Sequence, residues 1–174
     1  QRNVLVPVNT TTVDVAGELD SKGVELAAAV KPIDGLKLWG NAAFTHARFV
    51  NFDVWSGNTP PNVAPLIVNA GASYRFYYWP WPVEFGGSVR HVGDRFLFAD
   101  DATTLLAYTT ADVYTFVDIP GRDLWRPEIE SLRLGFRVRN LTNVVYAQWA
   151  DSTYPDQVLL GAPRTYEVWA SARW

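Results

Sequence analysis

Apolar and polar side chains alternate along much of this chain, most regularly near its C-terminus. From Tyr166 to Trp174 every second residue is apolar or aromatic, and the residues between them are mostly polar. Because successive side chains of an extended chain point to opposite faces, this pattern predicts a strand with one apolar and one polar face. Trp169 is the exception on the polar side. The segment is about as long as a tilted strand that crosses a bilayer, which needs roughly 9–11 residues.

The same alternation recurs upstream and predicts one short strand followed by seven longer ones. The predicted strands are 3–6, 24–31, 36–45, 66–76, 83–90, 107–118, 132–139 and 164–174. Short connections at 32–35 and 79–82 contrast with long ones at 53–65 and 144–163, although the connection at 120–130 is longer than strict alternation would give. The pattern therefore predicts an all-β chain of antiparallel strands.

Two architectures explain such alternation. A soluble β-sandwich or lipocalin-like barrel turns its apolar face inward, whereas a membrane barrel turns that face toward lipid and its polar face toward the lumen. Four observations favour the membrane barrel: whole charges on the polar face, small residues on the apolar face, aromatic residues crowded at a turn, and connections that alternate between short and long. The charges are Lys37, Arg75, Glu84, Arg90 and Arg137, and the aromatic residues are Tyr77, Tyr78, Trp79 and Trp81.

Composition narrows the function classes. The 174 residues suit one domain, and a net charge of -3 with no basic run does not indicate a nucleic-acid partner. The absence of cysteine excludes a disulfide framework and thiolate chemistry. No apolar run approaches the roughly 18 residues of a membrane helix.

The sequence contains no recognisable set of catalytic residues. His46 and His91 are the only histidines, and neither accompanies a serine in a nucleophile-elbow context. Asp100 and Asp101 are interpreted as a solvated loop pair rather than a calcium site, and the Asn140-Leu141-Thr142 sequence as a turn rather than a glycosylation site. We therefore predict no catalytic residue, no metal site and no resident cofactor.

Four short motifs, in order, resemble one protein family. GELDSKGVEL at 17–26 resembles the GE-x-x-S-x-G-x-E segment of TonB-dependent outer-membrane receptors, and VRHVGDR at 89–95 resembles their VRYVGDR strand end. NLTNVVY at 140–146 resembles NLTN-x-x-Y, and GAPRT at 161–165 resembles G-x-PRT before the last strand. Within the family, the pattern is most similar to the ferric-siderophore receptors.

The resemblance implies that residues 1–174 are the C-terminal segment of a barrel of about 22 strands, whose lumen is closed by an N-terminal plug domain that this chain lacks. It implies a Gram-negative outer-membrane receptor that imports ferric siderophores, driven by the TonB complex. The implied partners are outer-membrane lipid, the plug, the remaining barrel strands and the barrel-assembly machinery. That machinery would read a C-terminal signal at Tyr166 and Trp174. Such a segment would not transport alone.

In this orientation the loops at 53–65, 100–104 and 144–163 face outward. They carry Trp55, Trp149, Asp151, Tyr154 and Asp156. Arginine and aromatic side chains would bind an anionic ferric siderophore by charge and stacking. The predicted ligand-binding residues are Arg48, Arg90, Arg95, Tyr108, Arg139, Tyr146, Trp149 and Tyr154. The alternative is that the arginines only line the lumen and pair with Glu84, Asp112, Glu167 or carboxylates of the plug.

Two other functions remain open from sequence alone. One is a self-standing small outer-membrane barrel with a structural or adhesive role, because eight strands can close into a barrel. The other is a soluble lipocalin-like carrier, whose apolar face would have to lie inside.

Overall fold

The computed structural model describes residues 2–8, 12–78, 80–124, 126, 128–150 and 157–174. These residues form twelve strands and two short 3₁₀ turns, at Asp53–Trp55 and Gly121–Asp123. No helix in this part of the chain is long and apolar enough to span a membrane. The strands are β1 (Arg2–Pro7), β2 (Val13–Val30), β3 (Leu36–Asn51), β4 (Leu66–Tyr78), β5 (Trp81–Val92), β6 (Arg95–Phe96), β7 (Thr104–Leu105), β8 (Tyr108–Pro120), β9 (Ser131–Arg139), β10 (Ala147–Ala150), β11 (Val158–Leu160) and β12 (Thr165–Arg173).

Eight strands form one antiparallel sheet in the order β1-β2-β3-β4-β5-β8-β9-β12. The predicted all-β class, with one short strand followed by seven longer ones, is confirmed. Within the described residues β1 and β12 do not pair, so the sheet is open. The connections after β3, β5 and β9 share one end of the sheet, here called the loop end. Those after β2, β4 and β8 share the opposite turn end.

The long connections contain structure that the alternation does not reveal. β6 pairs with β7, and β10 pairs with β11, each as a separate two-stranded hairpin at the loop end. β2 begins well before residue 24, where the predicted strand starts, and its register against β3 shifts between Glu18 and Leu19. A bulge of this kind interrupts the period of two. Beyond it, the charged residues Asp20 and Lys22 occupy positions of the apolar face, so the apolar alternation becomes legible only at Val24.

The strand register gathers the apolar side chains on one face of the sheet. Directly paired residues of antiparallel strands lie on the same face. One row crosses six strands through these residues: Leu36, Tyr74, Phe85, Thr115, Phe136 and Val168. From the turn end up to the Val24–Phe44 pair, this apolar face carries no charged residue in the strands from β2 to β12.

The apolar face is not covered by the chain. Leu26, Phe85 and Val168 are 61%, 56% and 83% exposed. The buried apolar clusters instead lie at the loop end, one around Phe49 and Phe52 and the other around Leu97 and Phe98. A soluble sandwich or lipocalin-like barrel would bury this face in its core, so the arrangement opposes those architectures. It is the arrangement that a lipid-facing surface requires.

Between the turn end and the Val24–Phe44 pair, the charged residues of these strands lie on the opposite, polar face, where many are paired. Asp118 of β8 accepts hydrogen bonds from Arg75 of β4 at 2.6 Å and from Arg133 of β9 at 2.6 Å. Glu167 of β12 lies 2.8 Å from Arg139 and 3.7 Å from Arg137. Ion pairs between neighbouring strands reduce the repulsion among these arginines.

Three aromatic side chains on the polar face each lie over a glycine of the neighbouring strand. The directly paired residues are Trp39 with Gly71, Tyr114 with Gly86, and Trp169 with Gly135. A Cβ atom at any of these glycines would overlap the ring opposite. This packing explains the exception at Trp169, whose indole covers the strand position that Gly135 leaves open.

Candidate functional site

A cavity of about 420 Å³ opens on the polar face at the loop end. Strands β4, β5 and β8 supply its floor, and β6 and β10 with their flanking segments supply its walls. It is lined by Asn62, Ala64, Ile67, Arg90, Val92, Arg95, Tyr108, Thr110, Tyr146, Gln148 and Trp149. Five of the eight predicted ligand-binding residues, separated widely in sequence, therefore lie around one space: Arg90, Arg95, Tyr108, Tyr146 and Trp149.

The register of the sheet builds the floor. Arg90 is paired with Asn69 on one side and with Thr110 on the other, and Val92 is paired with Ile67 and Tyr108. These pairs are neighbouring rungs of the same face, so their side chains project into the same volume. The VRHVGDR motif thus ends a strand with Arg90 on the polar face of the sheet.

Two tyrosines form the aromatic part of the site. The rings of Tyr108 and Tyr146 stack with their centres 4.1 Å apart and their planes 25° apart. Tyr146 lies in the loop after β9, where burial raises the pKa of its phenol above the usual range. The phenol therefore stays neutral near pH 7, and the stacked pair presents an uncharged aromatic surface beside Trp149, which is 45% exposed.

Arg90 and Arg95 have different environments. Arg90 is exposed and makes no hydrogen bond or ion pair with any residue that the structure describes. Arg95 is only 6% exposed and donates hydrogen bonds to the carbonyl oxygens of Gln148 at 2.9 Å and Ala147 at 2.6 Å. Its guanidinium carbon lies 5.6 Å from the centre of the Tyr108 ring. Arg90 can offer its charge to a ligand, whereas Arg95 joins β10 to β6.

Asn62 reinforces that attachment, and sequence reasoning did not identify it. Its Nδ2 donates to the Ala150 carbonyl at 2.9 Å, and its Oδ1 accepts from the Ala150 N–H at 3.2 Å. The side chain thus pairs with β10 as a neighbouring strand would. Because 88 residues separate the two partners, no local pattern in the sequence could have shown this contact.

The two motifs near the C-terminus form one interlocked unit that positions Tyr146. Asn140 is buried with a positive φ of 48°, and its amide donates to the Val144 and Ala162 carbonyls at 2.9 and 3.0 Å. Gly161 lies directly beneath the Tyr146 ring, and its N–H donates to the Tyr146 carbonyl at 2.9 Å. Asparagine tolerates this left-handed conformation, and only glycine leaves room for the ring. These contacts give a physical reason for the NLTN-x-x-Y and G-x-PRT sequences.

The other predicted site residues lie elsewhere. Arg48 is paired with Asp20 on the apolar face, and Arg139 lies on the polar face against Glu167. Tyr154 lies outside the described residues, as do Asp151 and Asp156. Tyr166 stacks with Phe136 on the apolar face at 6.4 Å, and Trp174 is 88% exposed at the end of β12. Their assignments as ligand-binding residues or as an assembly signal stay predictions.

The suggested carboxylate partners have structural contacts of their own. Asp112 accepts a hydrogen bond from the Asn140 N–H at 2.9 Å, and Glu84 accepts one from the Tyr114 hydroxyl at 3.0 Å. Only Glu167 of the three is paired with arginine in the described structure. Asp118, the residue that joins Arg75 to Arg133, was not identified from sequence because it ends the least regular of the predicted strands.

Asp101 is part of the loop framework. Its Oδ2 accepts a hydrogen bond from the Thr59 N–H at 3.2 Å, and its Oδ1 is buried without a partner among the described residues. Burial, the largest effect, raises the pKa of this carboxyl above its ordinary value. No group of three or more His, Cys, Asp or Glu side chains suited to a metal ion occurs in this part of the structure.

Residues 1–141 match the family described as "TonB dependent receptor-like, beta-barrel". The chain is 26% identical over 141 residues to the ferrioxamine receptor of Yersinia enterocolitica, covering 79% of this chain and 19% of that protein. It is also 26% identical over 140 residues to the ferrichrome outer membrane transporter/phage receptor of Escherichia coli K12, covering 79% of this chain and 18% of that protein.

Solved structures show the same fold. The ferric preacinetobactin receptor BauA of Acinetobacter baumannii superposes with a TM-score of 0.79 at 21% identity, over 92% of this chain and 23% of that protein. The siderophore receptor PiuA of the same organism gives a TM-score of 0.71 at 16% identity, over 97% of this chain and 24% of that protein. The chain thus spans less than a quarter of these relatives. With the family match over most of its length, the chain belongs to the TonB-dependent receptor-like β-barrel family.

Proposed function

We propose that this chain contributes eight neighbouring strands to the barrel of an outer-membrane transporter that binds and imports ferric siderophores. The names of its relatives support iron-chelate transport, and the coverage of less than a quarter supports a larger barrel. In that barrel the apolar face meets lipid and the polar face lines the lumen. The plug domain, the remaining strands and the TonB complex are the partners that such a transporter requires.

The cavity at the loop end is the proposed contribution of this segment to chelate binding. The observation that carries this assignment is Arg90, a cation without a protein partner in the described structure, set beside the stacked Tyr108–Tyr146 pair and the exposed Trp149. A ferric chelate presents oxygen-rich anionic groups and flat or apolar ligand arms. A cation supplies attraction to the former, and aromatic rings supply contact area for the latter.

A second function as an enzyme has no support from the site. The cavity brings together arginine, tyrosine, tryptophan and amide side chains, without a histidine or carboxylate in its lining. The relatives of this chain are named as receptors and transporters. We therefore assign Arg90, Tyr108, Tyr146 and Trp149 to ligand contact, and Arg95 and Asn62 to positioning of β10.

The test measures binding of ferric chelates to the full-length receptor in detergent, with ferrioxamine and ferrichrome as the first probes and a ferric catecholate as the third. For the chelate that binds, Arg90→Gln should weaken binding about tenfold, because a charged hydrogen bond contributes roughly 1.5 kcal/mol. Arg122→Gln, at the turn end, is the matched control and should change affinity less than twofold. Equal affinities for Arg90→Gln and the wild type would remove the cavity from the binding site. Failure of all three chelates to bind would overturn the proposed function itself.

A further inference from the structure

A second cavity lies on the polar face, near the turn end of the sheet. It has a volume of about 360 Å³, and strands β3, β4, β5 and β8 contribute to its lining. One row of directly paired residues runs through these four strands: Lys37, Ser73, Gly86 and Tyr114. Because directly paired residues lie on the same face, they border one space.

The charge of this turn-end cavity is similar to that of the cavity at Arg90. Its lining contains three cations and one carboxylate: Lys31, Lys37, Arg75 and Glu84. The lining of the loop-end cavity contains two arginines and no carboxylate. Cations therefore exceed carboxylates by two in each cavity, and both cavities attract anions.

Two of the turn-end cations are available to a ligand. Lys31 and Lys37 are exposed, and neither side chain makes a hydrogen bond or ion pair with a residue that the structure describes. The Arg75 guanidinium, by contrast, is held by Asp118 at 2.6 Å. The two lysines therefore carry the charge that this cavity can offer.

Aromatic rings form another part of the cavity wall. Trp39 and Tyr114 each lie over a glycine of the neighbouring strand, so one side of each ring rests on backbone. Both residues are half-buried, which leaves part of each ring exposed to the cavity. The Tyr114 hydroxyl donates to Glu84 at 3.0 Å, which gives the carboxylate of the lining a partner. Cations and flat aromatic surface are thus combined here as they are in the loop-end cavity.

The two cavities are connected along the polar face. Tyr108 of the first and Tyr114 of the second are six positions apart in β8, which is roughly 20 Å at about 3.3 Å per residue. Between the cavities, the polar-face positions of β4, β5 and β8 carry small side chains: Asn69, Gly71, Ser88, Thr110 and Asp112. A ligand that leaves one cavity therefore meets no bulky side chain of these three strands before it reaches the other.

We propose that the turn-end cavity is a transit site, which holds an anionic ferric chelate on the barrel wall after it leaves the loop-end cavity. Lys31 and Lys37 attract the negative charge of the chelate, and Trp39 and Tyr114 contact its flat or apolar arms. Exposed cations bind anions weakly, so the chelate can be released again. The inference rests on the proposed function, in which the polar face lines the lumen and the ligand is a ferric chelate.

The experiment follows a negatively charged ferric chelate with a thiol-reactive arm through the full-length receptor in cells. Ser73, in the lining of the turn-end cavity, is replaced by cysteine in a receptor without other reactive cysteines. Ala72→Cys is the matched control, because this neighbouring position lies at the same height on the apolar face. During active import, the chelate should label position 73 and not position 72.

Two charge variants test the role of the lysines in the Ser73→Cys background. K31Q/K37Q removes both lysines from the lining, whereas the control R122Q/R126Q removes two exposed cations from the connection after β8, at the same end of the sheet. An exposed cation contributes up to about fivefold to the binding of an anion, so K31Q/K37Q should slow labelling about tenfold. The control should change labelling less than about twofold. Chelate affinity in cells without energy, which reports the loop-end cavity, should be the same in all three proteins.

Four results would overturn the transit site. They are equal labelling at positions 72 and 73, unchanged labelling in K31Q/K37Q, equal slowing in R122Q/R126Q, and faster labelling of K31Q/K37Q by a small neutral thiol reagent alone. The last result would mean that the lysines hold carboxylates of the plug. Import of the chelate is measured on the same cells. If the wild type imports no ferric chelate, the proposed function is wrong; if import proceeds without labelling at position 73, only the transit site is wrong.

Discussion

Replacing Arg95 with methionine should loosen the β10–β11 hairpin from the β6–β7 hairpin while leaving the main sheet folded. Arg95 is almost fully buried, and its two terminal nitrogens hold the carbonyl oxygens of Ala147 and Gln148. Methionine keeps much of the apolar volume but has no donor. The two carbonyls would then lose their charged partner. Two other contacts of β10 would persist: the hydrogen bonds of Asn62 with Ala150, and the packing of Ala150 in the buried cluster around Leu97 and Phe98.

The magnitude follows from these contacts. A hydrogen bond to a charged group contributes about 1.5–3 kcal/mol, so the two together contribute roughly 3–6 kcal/mol. Removing the guanidinium also removes the cost of burying a charge without a carboxylate partner in the described structure, and the carbonyls regain some water. We therefore expect a net loss of about 2–3 kcal/mol in local stability, which corresponds to a 30- to 150-fold increase in the open population of the hairpin.

The assay is hydrogen exchange with mass spectrometry on the full-length receptor, reading the peptide that contains residues 147–150. In Arg95→Met these amides should exchange faster by the stated factor, whereas peptides from β4, β5 and β9 should be unchanged. Arg95→Lys should be intermediate, because an ammonium retains the charge but not the fork of donors. Arg122→Met, on the exposed turn-end connection, is the control. Unchanged exchange at 147–150 would refute the argument that Arg95 holds the hairpin.

Three further predictions concern packing, the loop motif and pH. Gly135→Ala should lower the free energy of unfolding of the barrel by about 1–3 kcal/mol, because the added Cβ overlaps the Trp169 ring. Chemical unfolding should show a smaller loss when the same substitution is made in a Trp169→Ala background. Equal losses in the two backgrounds would contradict the packing argument. Asn140→Ala should weaken ferric-chelate binding through displacement of Tyr146, and Asn140→Gly, which keeps the left-handed backbone but not the hydrogen bonds, should be intermediate by the same assay. Burial raises the pKa of the Asp101 carboxyl in the folded protein above its value in the unfolded chain, which is about 4. Protonated Asp101 therefore stabilises the folded protein below the unfolded pKa. This stabilisation is lost as pH rises through the folded pKa. Asp101→Asn should therefore remove that pH dependence in the exchange of residues 97–105; an identical pH profile in the variant would show that Asp101 does not titrate in this way.

The main sheet could be predicted from sequence because each strand repeats its period of two over many residues. The alternation of Tyr166, Val168 and Ala170 on one face and Glu167 and Ser171 on the other is matched by the register with β9. The same signal fails for β6, β7, β10 and β11, which have two to four residues each, too few to establish a period.

The candidate site could be predicted only in part, for a related reason. Arg90 lies near the end of β5 and Tyr108 at the start of β8, and these two strands are neighbours, so the proximity of the two residues follows from the order of the sheet. The positions of Tyr146 and Trp149 depend on contacts between distant loops, such as those of Asn140 with Ala162 and of Asn62 with Ala150. Arg48 shows the limit of residue type as a guide. Its charge suggested ligand binding. In β3, however, Arg48 lies an even number of positions from Phe44, so both side chains are on the apolar face.

The orientation of the sheet in the bilayer is the claim on which the account rests, and consecutive positions of β12 test it most directly. Each residue from 166 to 173 is replaced in turn by cysteine in a full-length receptor without other reactive cysteines, labelled with an environment-sensitive dye and placed in lipid vesicles. Nitroxide-bearing lipids should quench the dye at 166, 168, 170 and 172, and iodide in water should quench it more at 167, 169, 171 and 173 wherever water reaches the lumen. Quenching by lipid at the odd-numbered positions, or the same lipid quenching at every position, would contradict the account.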